Sequence, residues 1–467
     1  MTPTTAEPAT RASTPWALTG LSLTMLLSSL GVSIANVALP TLADSFEATF
    51  QQVQWIVLAF LLASTTLIVT VGRLGDLTGR RRLLLLGISV FTAASLVAGL
   101  APALWLLITA RAAQGLGAAV MMALTMAFVG DIVPKARTAS AMGLLGTTSA
   151  IGTALGPSLG GVLIGAFGWR TIFLINLPLG LLTFTLTIKH LPADHSRPAM
   201  PARRFDNAGT AALAGTLAAY ALAMTVGGDI GGALGFGRSA GVVGLLVVAV
   251  AGLATFVRIE TRAASPLVRP AAFHDRTLST SLAMSALVST VMMATLVVGP
   301  FYLARTLGLR AAVVGLVLSV GPLVAALTGV PAGRVADRFG VRRMTVAGLV
   351  AIAVGAGALA AMPARLGIVG YLVPIVVMTS GYATFQTANN TAVLTDLPPD
   401  QRGVVSGLLN LSRNLGLITG TAVMGALFAA TNLHLTFAVA AALIVAALTL
   451  AIARPRAIRP LESAAVS

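Results

Sequence analysis

The chain contains no cysteine, 14 acidic residues and 4 histidines in 467 positions. Without cysteine there is no disulfide framework and no thiol chemistry. With so few histidines and no carboxylate pair inside an apolar stretch, no enzyme active site is expected. No cofactor or metal is expected either. Charged residues of every kind make up 9% of the chain against 57% hydrophobic residues, and mean hydropathy is +0.92. A soluble globule cannot be built with so little polar surface, so the composition describes an integral membrane protein. The alternating pattern and turn spacing of a membrane β-barrel are also missing. Residues 1–15 hold one basic residue, Arg11, ahead of a full-length apolar run, so no cleaved signal peptide is expected.

What is present is a succession of apolar runs, each about as long as the roughly 20 residues a helix needs to cross the hydrocarbon core. Backbone groups in lipid must be satisfied within the segment, so the runs are expected to be helices. Fourteen are expected, near 16–39, 52–72, 83–100, 103–130, 139–166, 171–189, 207–228, 238–258, 277–304, 309–332, 344–362, 367–394, 403–429 and 433–453. With both termini inside, 23 of the 30 basic residues fall in inner segments, 5 in outer segments and 2 within the membrane. The outer five are Arg170, Arg238, Arg305, Arg310 and Arg365. This asymmetry is the positive-inside signature and predicts a multi-pass protein of the cell membrane, the inner membrane of a bacterium, with both termini cytoplasmic. It also accounts for the formal charge of +16 without nucleic acid. Trp16, Trp55, Trp105 and Trp169 all fall near predicted helix ends, where an amphipathic ring prefers the interface.

The sequence repeats itself. Gly72-Arg73-Leu74-Gly75-Asp76-Leu77-Thr78-Gly79-Arg80-Arg81-Arg82 returns as Gly333-Arg334-Val335-Ala336-Asp337-Arg338-Phe339-Gly340-Val341-Arg342-Arg343, each between two apolar runs and read as a short polar loop. Asp131-x-x-Pro134-x-x-Arg137 returns as Asp396-x-x-Pro399-x-x-Arg402 at nearly the same offset. A self-match at fixed offset marks two joined homologous halves. The expected architecture is all-α: two homologous six-helix bundles with two further helices inserted between them. The divisions are a tail 1–15, a first bundle 16–190, a linker with two inserted helices 191–276, a second bundle 277–453 and a tail 454–467.

Two six-helix bundles, each with a Gly-x-x-x-Asp-x-x-Gly-Arg-type segment between its second and third helices, resemble the major facilitator superfamily. Arg111-x-x-Gln114-Gly115 in the fourth helix is similar to a motif of that superfamily, and Gly152-x-x-x-Gly156-Pro157-x-x-Gly160-Gly161 in the fifth is similar to one typical of its exporters. The helix count, Asn36-Val37-Ala38-Leu39-Pro40 and Trp169-Arg170-x-x-Phe173-x-x-Asn176-x-Pro178-x-Gly180 resemble the fourteen-helix drug:proton antiporter branch. The resemblance covers nearly the whole chain. It implies an exporter of small amphiphilic drugs or metabolites that works by alternating access and proton antiport, as a monomer in the lipid bilayer.

Read as chemistry, Gly152, Gly156 and Gly160 lie on one helix face and permit close approach of a neighbour, while Pro157 permits a kink beside it; Gly161 completes the motif. The expected use is a rocking contact between the bundles. Arg111 and Arg413 are the two deep guanidinium groups, costly near a bilayer centre by about 2.5–3.5 kcal/mol on insertion scales. Arg111 with Gln114 reads as a structural anchor or as part of a proton or substrate path. Ser33, Asn36, Gln386, Asn389, Asn390 and Asn410 are candidate polar cavity groups, and Met122, Met126, Met292, Tyr382 and Phe385 a candidate adaptable apolar wall. Gly72, Asp76, Gly79, Arg80, Gly333, Asp337, Gly340 and Arg343 are candidate gating residues, with Asp131 a candidate coupling acid at the inner rim.

No acidic residue falls at the middle of a predicted helix. The resembling branch usually carries an acid in its first helix, in an Asp-x-Thr-x-x-Asn-Val-Ala-Leu-Pro pattern; in this chain that position is Gly31. The cavity is therefore expected to be neutral to positive, suiting neutral or anionic amphiphiles better than lipophilic cations. Two alternatives stay open: an uncoupled facilitator or importer of a neutral or anionic solute, and a membrane receptor that keeps the fold without transport.

Overall fold

The computed structural model describes residues 14–133, 138–192, 194, 207–225, 238–262, 275–394 and 399–453. Pro134, Arg137 and both terminal tails lie outside these residues, as do the side chains of Gly72, Asp76, Asp131, Gly333, Asp337, Pro399 and Arg402.

The expected runs are helices: α1 (Thr14–Ser45), α2 (Phe50–Thr78), α3 (Arg80–Leu100), α4 (Leu104–Ile132) and α5 (Thr138–Phe167). Span α6 is a short turn (Thr171–Leu174) followed by Asn176–His190; α7 (Asn207–Thr225) and α8 (Arg238–Arg262) are the inserted pair. The second bundle comprises α9 (Arg276–Phe301), α10 (Ala311–Phe339), α11 (Val341–Ala361), α12 (Gly367–Leu394), α13 (from Pro399) and α14 (Leu433–Ala453). Among the described residues, thirteen spans are long and apolar enough to cross a membrane by length and composition. The fourteenth, α13, runs as α-helix over Pro399–Thr419, as π-helix over Gly420–Met424 and as α-helix over Gly425–Ala430. Its polar Asn410, Arg413 and Asn414 lower its hydropathy.

The two doubled segments are not loops. α2 continues to Thr78 and α3 begins at Arg80, so the whole reversal is made at Gly79 (φ 94°). α10 likewise continues to Phe339 and α11 begins at Val341, with Gly340 at φ 88°. Composition suggested loops because the segments are polar and basic, but a helix that emerges from lipid can keep its backbone bonds with polar side chains outward. A left-handed φ between two helices is open to glycine without strain.

Close helix crossings recur in both halves. Gly87 of α3 meets Gly117 of α4, and 261 and 264 positions on Gly348 of α11 meets Gly381 of α12; a methyl on Gly117 or Gly381 would stand 2.7 Å from the facing carbonyl oxygen. Without side chains these positions let helix backbones touch, which is how apolar helices associate in lipid. The inserted helices pack on each other through Gly252 against Thr216. α7 bridges both bundles: the indole Nε1 of Trp55 in α2 donates to Thr225 Oγ1 at 3.1 Å, and the Tyr220 hydroxyl pairs with Thr419 of α13. The outward face of α8, with Val243, Val247, Val250 and Leu253, is exposed and apolar as a lipid-facing helix requires.

Trp16 and Trp105 are more than half exposed at helix ends, in keeping with an interfacial belt. Trp169 is buried, between Phe46 (5.3 Å) and Phe173 (6.3 Å). Trp55 is partly buried and bonded to α7. For these two, tertiary packing rather than the interface sets the position.

Candidate functional site

The structure divides the candidate residues among four places. The first is a cavity of about 470 Å³ between the bundles, lined by α1, α2, α4 and α5 from one half and by α9, α10, α12 and α13 from the other. Ser33, Asn36, Met122, Met292, Tyr382, Gln386 and Arg413 line it. Five expected cavity residues do not. Phe385 is fully buried where α12 crosses α11 at Gly348, and Met126 and Asn410 are exposed. Asn389 is buried and donates to the Ser281 carbonyl at 3.4 Å, and Asn390 lies outside the lining. All five are on cavity-lining helices; Met126, Asn389, Asn390 and Asn410 stand three or four residues, about one turn, from the lining residues Met122, Gln386 and Arg413, so position along the helix, rather than the face, leaves them out.

The wall is mixed. Met122, Met292, Met293, Leu296 and Ile375 give it an adaptable apolar surface, and Ser29, Ser149, Thr153 and Thr379 give it hydroxyls. Most of these hydroxyls are occupied: Ser29 and Ser149 bond each other at 2.7 Å, and Thr153 and Thr379 each donate to a carbonyl one turn back in their own helix. Asn36 donates to the Val32 carbonyl at 3.4 Å, but its Oδ1, like Gln386 Oε1, is buried without a partner. No Asp, Glu, Lys or His is among the described lining residues, so Arg413 is their single charge.

The second place is the interior of the first bundle. Arg111 is buried beside Gln114, away from the cavity lining. Its Nε donates to the Ile56 carbonyl at 3.1 Å, and its Nη1 donates to the Gly31 carbonyl at 3.0 Å and to Gln114 Oε1 at 2.8 Å. The guanidinium also lies 4.4 Å from the centre of the Phe60 ring. Gln114 Nε2 continues the chain to Ser95 Oγ at 2.6 Å, and Ser95 donates to the Phe91 carbonyl. Four helices are thereby tied to one cation, an arrangement suited to Arg with its planar, multiple donors. Of the two roles open to Arg111, the geometry is that of an anchor.

Third, the helix 5 motif works on two faces. Methyl groups on Gly152, Gly156 or Gly160 would strike Leu26, Ser33 or Val37 of α1, so this stripe packs inside its own bundle, not between bundles as expected. The contact with the other bundle is made one face round: a methyl on Gly161 would meet the Ala311 carbonyl of α10, and Gly315 of α10 lies against the Pro157 carbonyl. Sequence reasoning missed the equivalent stripe in the second half. Gly416 and Gly420 of α13 lie 264 positions after Gly152 and Gly156 and pack against the carbonyls of Ala286 and Thr290 in α9. The fixed offset was the signal that could have found them.

The fourth place is the end of the molecule bearing the Gly79 and Gly340 turns. Arg81 of α3 donates to the Ile188 carbonyl of α6, and 261 positions on Arg342 of α11 donates to the Ile452 carbonyl of α14 at 2.8 Å. These arginines clamp helix pairs within each bundle. Asp194, which the sequence did not single out, accepts from the backbone N–H groups of Arg81 (2.8 Å) and Arg82 (3.1 Å) at the start of α3. A carboxylate is favoured at such a helix N-terminus. Arg80 and Arg343 are on the same first turns.

At the opposite end the bundles meet. Asp44 of α1 and Arg305, in the π-helical turn Tyr302–Thr306 that follows α9, form an exposed ion pair at 3.1 Å. The Phe50 ring packs edge-on against Phe301 (4.6 Å) and Phe428 (5.5 Å), and Gln54 Nε2 donates to the Thr421 carbonyl at 3.0 Å. Tyr302 stacks on Tyr371 below them. Both π segments fall in this region. The one following α9 begins two residues after Pro300, whose missing N–H interrupts the helical ladder.

Among solved structures, the fold is similar to that of a bacterial homologue of the human lysosomal transporter Spinster in an inward-facing, unoccupied conformation, with a TM-score of 0.69, 15% identity, and coverage of 95% of this chain and 97% of that one. It is also similar to the xylose transporter XylE from Escherichia coli in a partially occluded inward-open conformation, with a TM-score of 0.64, 12% identity, and coverage of 94% and 97%. Among curated proteins, it is 33% identical over 413 residues to the multidrug resistance protein Stp of Mycobacterium tuberculosis, covering 88% of this chain and 75% of that protein. The riboflavin transporter RibZ of Clostridioides difficile is 30% identical over 407 residues, covering 87% and 86%. The multidrug efflux pump LfrA of Mycolicibacterium smegmatis is 29% identical over 431 residues, covering 92% and 83%. A family model described as Major Facilitator Superfamily matches residues 21–420 and 278–466. Two repeated six-helix bundles around a shared cavity, joined by that match across nearly the whole chain, make this protein a member of the Major Facilitator Superfamily.

Proposed function

We propose that the protein exports small amphiphilic molecules across the cell membrane by alternating access, as a monomer, with both termini and the Gly79 and Gly340 turns on the cytoplasmic side. The observation that carries this reading is the central cavity: it is of drug size, mostly apolar with few free polar groups, and shared by both bundles. The similarity to multidrug proteins such as Stp and LfrA supports export. The inter-bundle contacts at Asp44–Arg305, Phe50–Phe301 and Gln54–Thr421 lie at the end opposite the turns. In the proposed orientation that end is external, so the conformation is inward-facing and ready to load from the cytoplasm. Export then requires the bundles to part at these contacts and close at the turn end, rocking over the α5–α10 crossing.

Proton antiport is the coupling proposed, with Asp76 and Asp131 as the acids that exchange protons. A second reading, an uncoupled facilitator or importer, is favoured by the lack of any carboxylate among the described lining residues and by the similarity to a riboflavin transporter. Reconstituted protein with a fluorescent amphiphile and a pH-sensitive dye in the lumen separates the two. Antiport predicts lumenal pH change whenever substrate moves down its gradient. Saturable flux with no pH change selects the facilitator, and no saturable flux for any neutral or anionic amphiphile removes the transport reading altogether.

A further inference from the structure

We propose that Arg413 is the docking point for the acidic group of an amphiphilic anion, so that the preferred substrate carries one negative charge beside an apolar body. This rests on the cavity being the substrate site. Arg413 is the single charged side chain among the described lining residues, and among the described residues its guanidinium has no hydrogen-bond, ion-pair or ring partner. Arg111 shows what a structural arginine looks like in the same protein: three acceptors and an aromatic face hold it. A guanidinium kept at membrane depth without such partners is costly and offers a planar fork of donors suited to a carboxylate, sulfonate or phosphate.

The internal repeat adds an independent argument. Counting back 264 positions, the offset that relates Gly416 to Gly152, brings Arg413 onto Ser149 of α5. Ser149 also lines the cavity and is spent on Ser29 at 2.7 Å. The two helices share their glycine stripe and their crossing with a neighbour, so the crossing itself does not require a charge at this place. The half-buried arginine is a departure from symmetry at the cavity wall. Met122 and Met292, in the same lining, suit the apolar part of the ligand.

The test uses two probes that differ by one group, 8-anilinonaphthalene-1-sulfonate and neutral N-phenyl-1-naphthylamine, bound to the full chain in nanodiscs by equilibrium dialysis with empty nanodiscs subtracted. A charge-assisted pair is expected to make the sulfonate bind about tenfold tighter than the neutral probe. Arg413→Gln should bring the two within about twofold by weakening the sulfonate alone, and Arg413→Lys should restore part of the preference. Equal affinities in the wild type, or equal weakening of both probes by Arg413→Gln, would overturn the proposal. Should Arg413→Gln not fold, the wild-type affinity ratio and the Arg413→Lys ratio decide it. Flux in proteoliposomes tests the underlying reading separately: selective binding with no movement of either probe removes transport and leaves the anion site standing. Movement of both probes at a ratio that Arg413→Gln leaves unchanged does the reverse.

Discussion

The backbone carbonyl of Gly31 accepts a hydrogen bond from Arg111 at 3.0 Å, and the Phe91 ring fills the space beside position 31, its nearest carbon 2.7 Å from where a Cβ would stand. The glycine and the arginine are thus matched: helix 1 offers its backbone to the cation because no side chain intervenes. Aspartate at 31 would collide with Phe91, and overpacking of this kind costs about 1–3 kcal/mol. Removing the ring as well should let the new carboxylate reach Arg111. Gly31→Asp and Phe91→Ala are therefore expected to be non-additive, the double variant being more stable than the sum of the single losses by about 1 kcal/mol or more. Thermal melts of the four proteins in one detergent measure this; additive losses would show that no pair forms.

Arg111 itself should be a stability residue. Arg111→Ala strips partners from the Ile56 and Gly31 carbonyls and from Gln114, and hydrogen bonds to a charged group are each worth about 1.5–3 kcal/mol. A loss of at least about 3 kcal/mol is expected. Arg111→Lys should recover little of it, because an ammonium cannot span the three acceptors. A folded Arg111→Ala protein with an unchanged melting temperature but no flux would instead return this residue to the transport path.

These two cases mark what the sequence could show. Hydropathy gave helix limits closely wherever glycine, proline or charge bounded an apolar run, as at Gly367–Leu394 and Leu433–Ala453. Arg111 was legible as a deep cation beside Gln114, but its other two acceptors are carbonyls of α1 and α2, which have no sequence signature. Arg413 was equally legible and is the one that reaches the cavity, a difference that hydropathy does not carry. Asp194 was unreadable as a helix cap because its partners at Arg81 and Arg82 are more than 110 positions away.

The α5–α10 crossing offers a test of rocking. A methyl on Gly161 or Gly315 would press on a facing carbonyl in the present conformation, so Gly161→Ala and Gly315→Ala should favour the alternative conformation in which the outer end is apart. The absence of native cysteine makes the readout direct. With Asp44→Cys and Arg305→Cys introduced together, a short bis-maleimide should cross-link the pair in the parent and block flux. Adding Gly315→Ala should lower the yield several-fold. An unchanged yield would mean that this crossing does not bias the two states.

The two turns, alike in sequence, should respond unequally to the same change. Gly79 and Gly340 both have positive φ, so alanine at either is strained by about 1 kcal/mol. At Gly340 a methyl would meet nothing within 4 Å, whereas at Gly79 it would stand 2.5 Å from an Asp194 carboxylate oxygen. That carboxylate caps α3, and a cap is worth about 1 kcal/mol. Gly79→Ala is therefore expected to lower stability by roughly twice as much as Gly340→Ala. In an Asp194→Ala background, where the cap is already gone and the space is open, the two glycine substitutions should become equal. Melting temperatures of the parent and these variants decide the matter, and a persistent difference between the turns in that background would place its cause elsewhere than in Asp194.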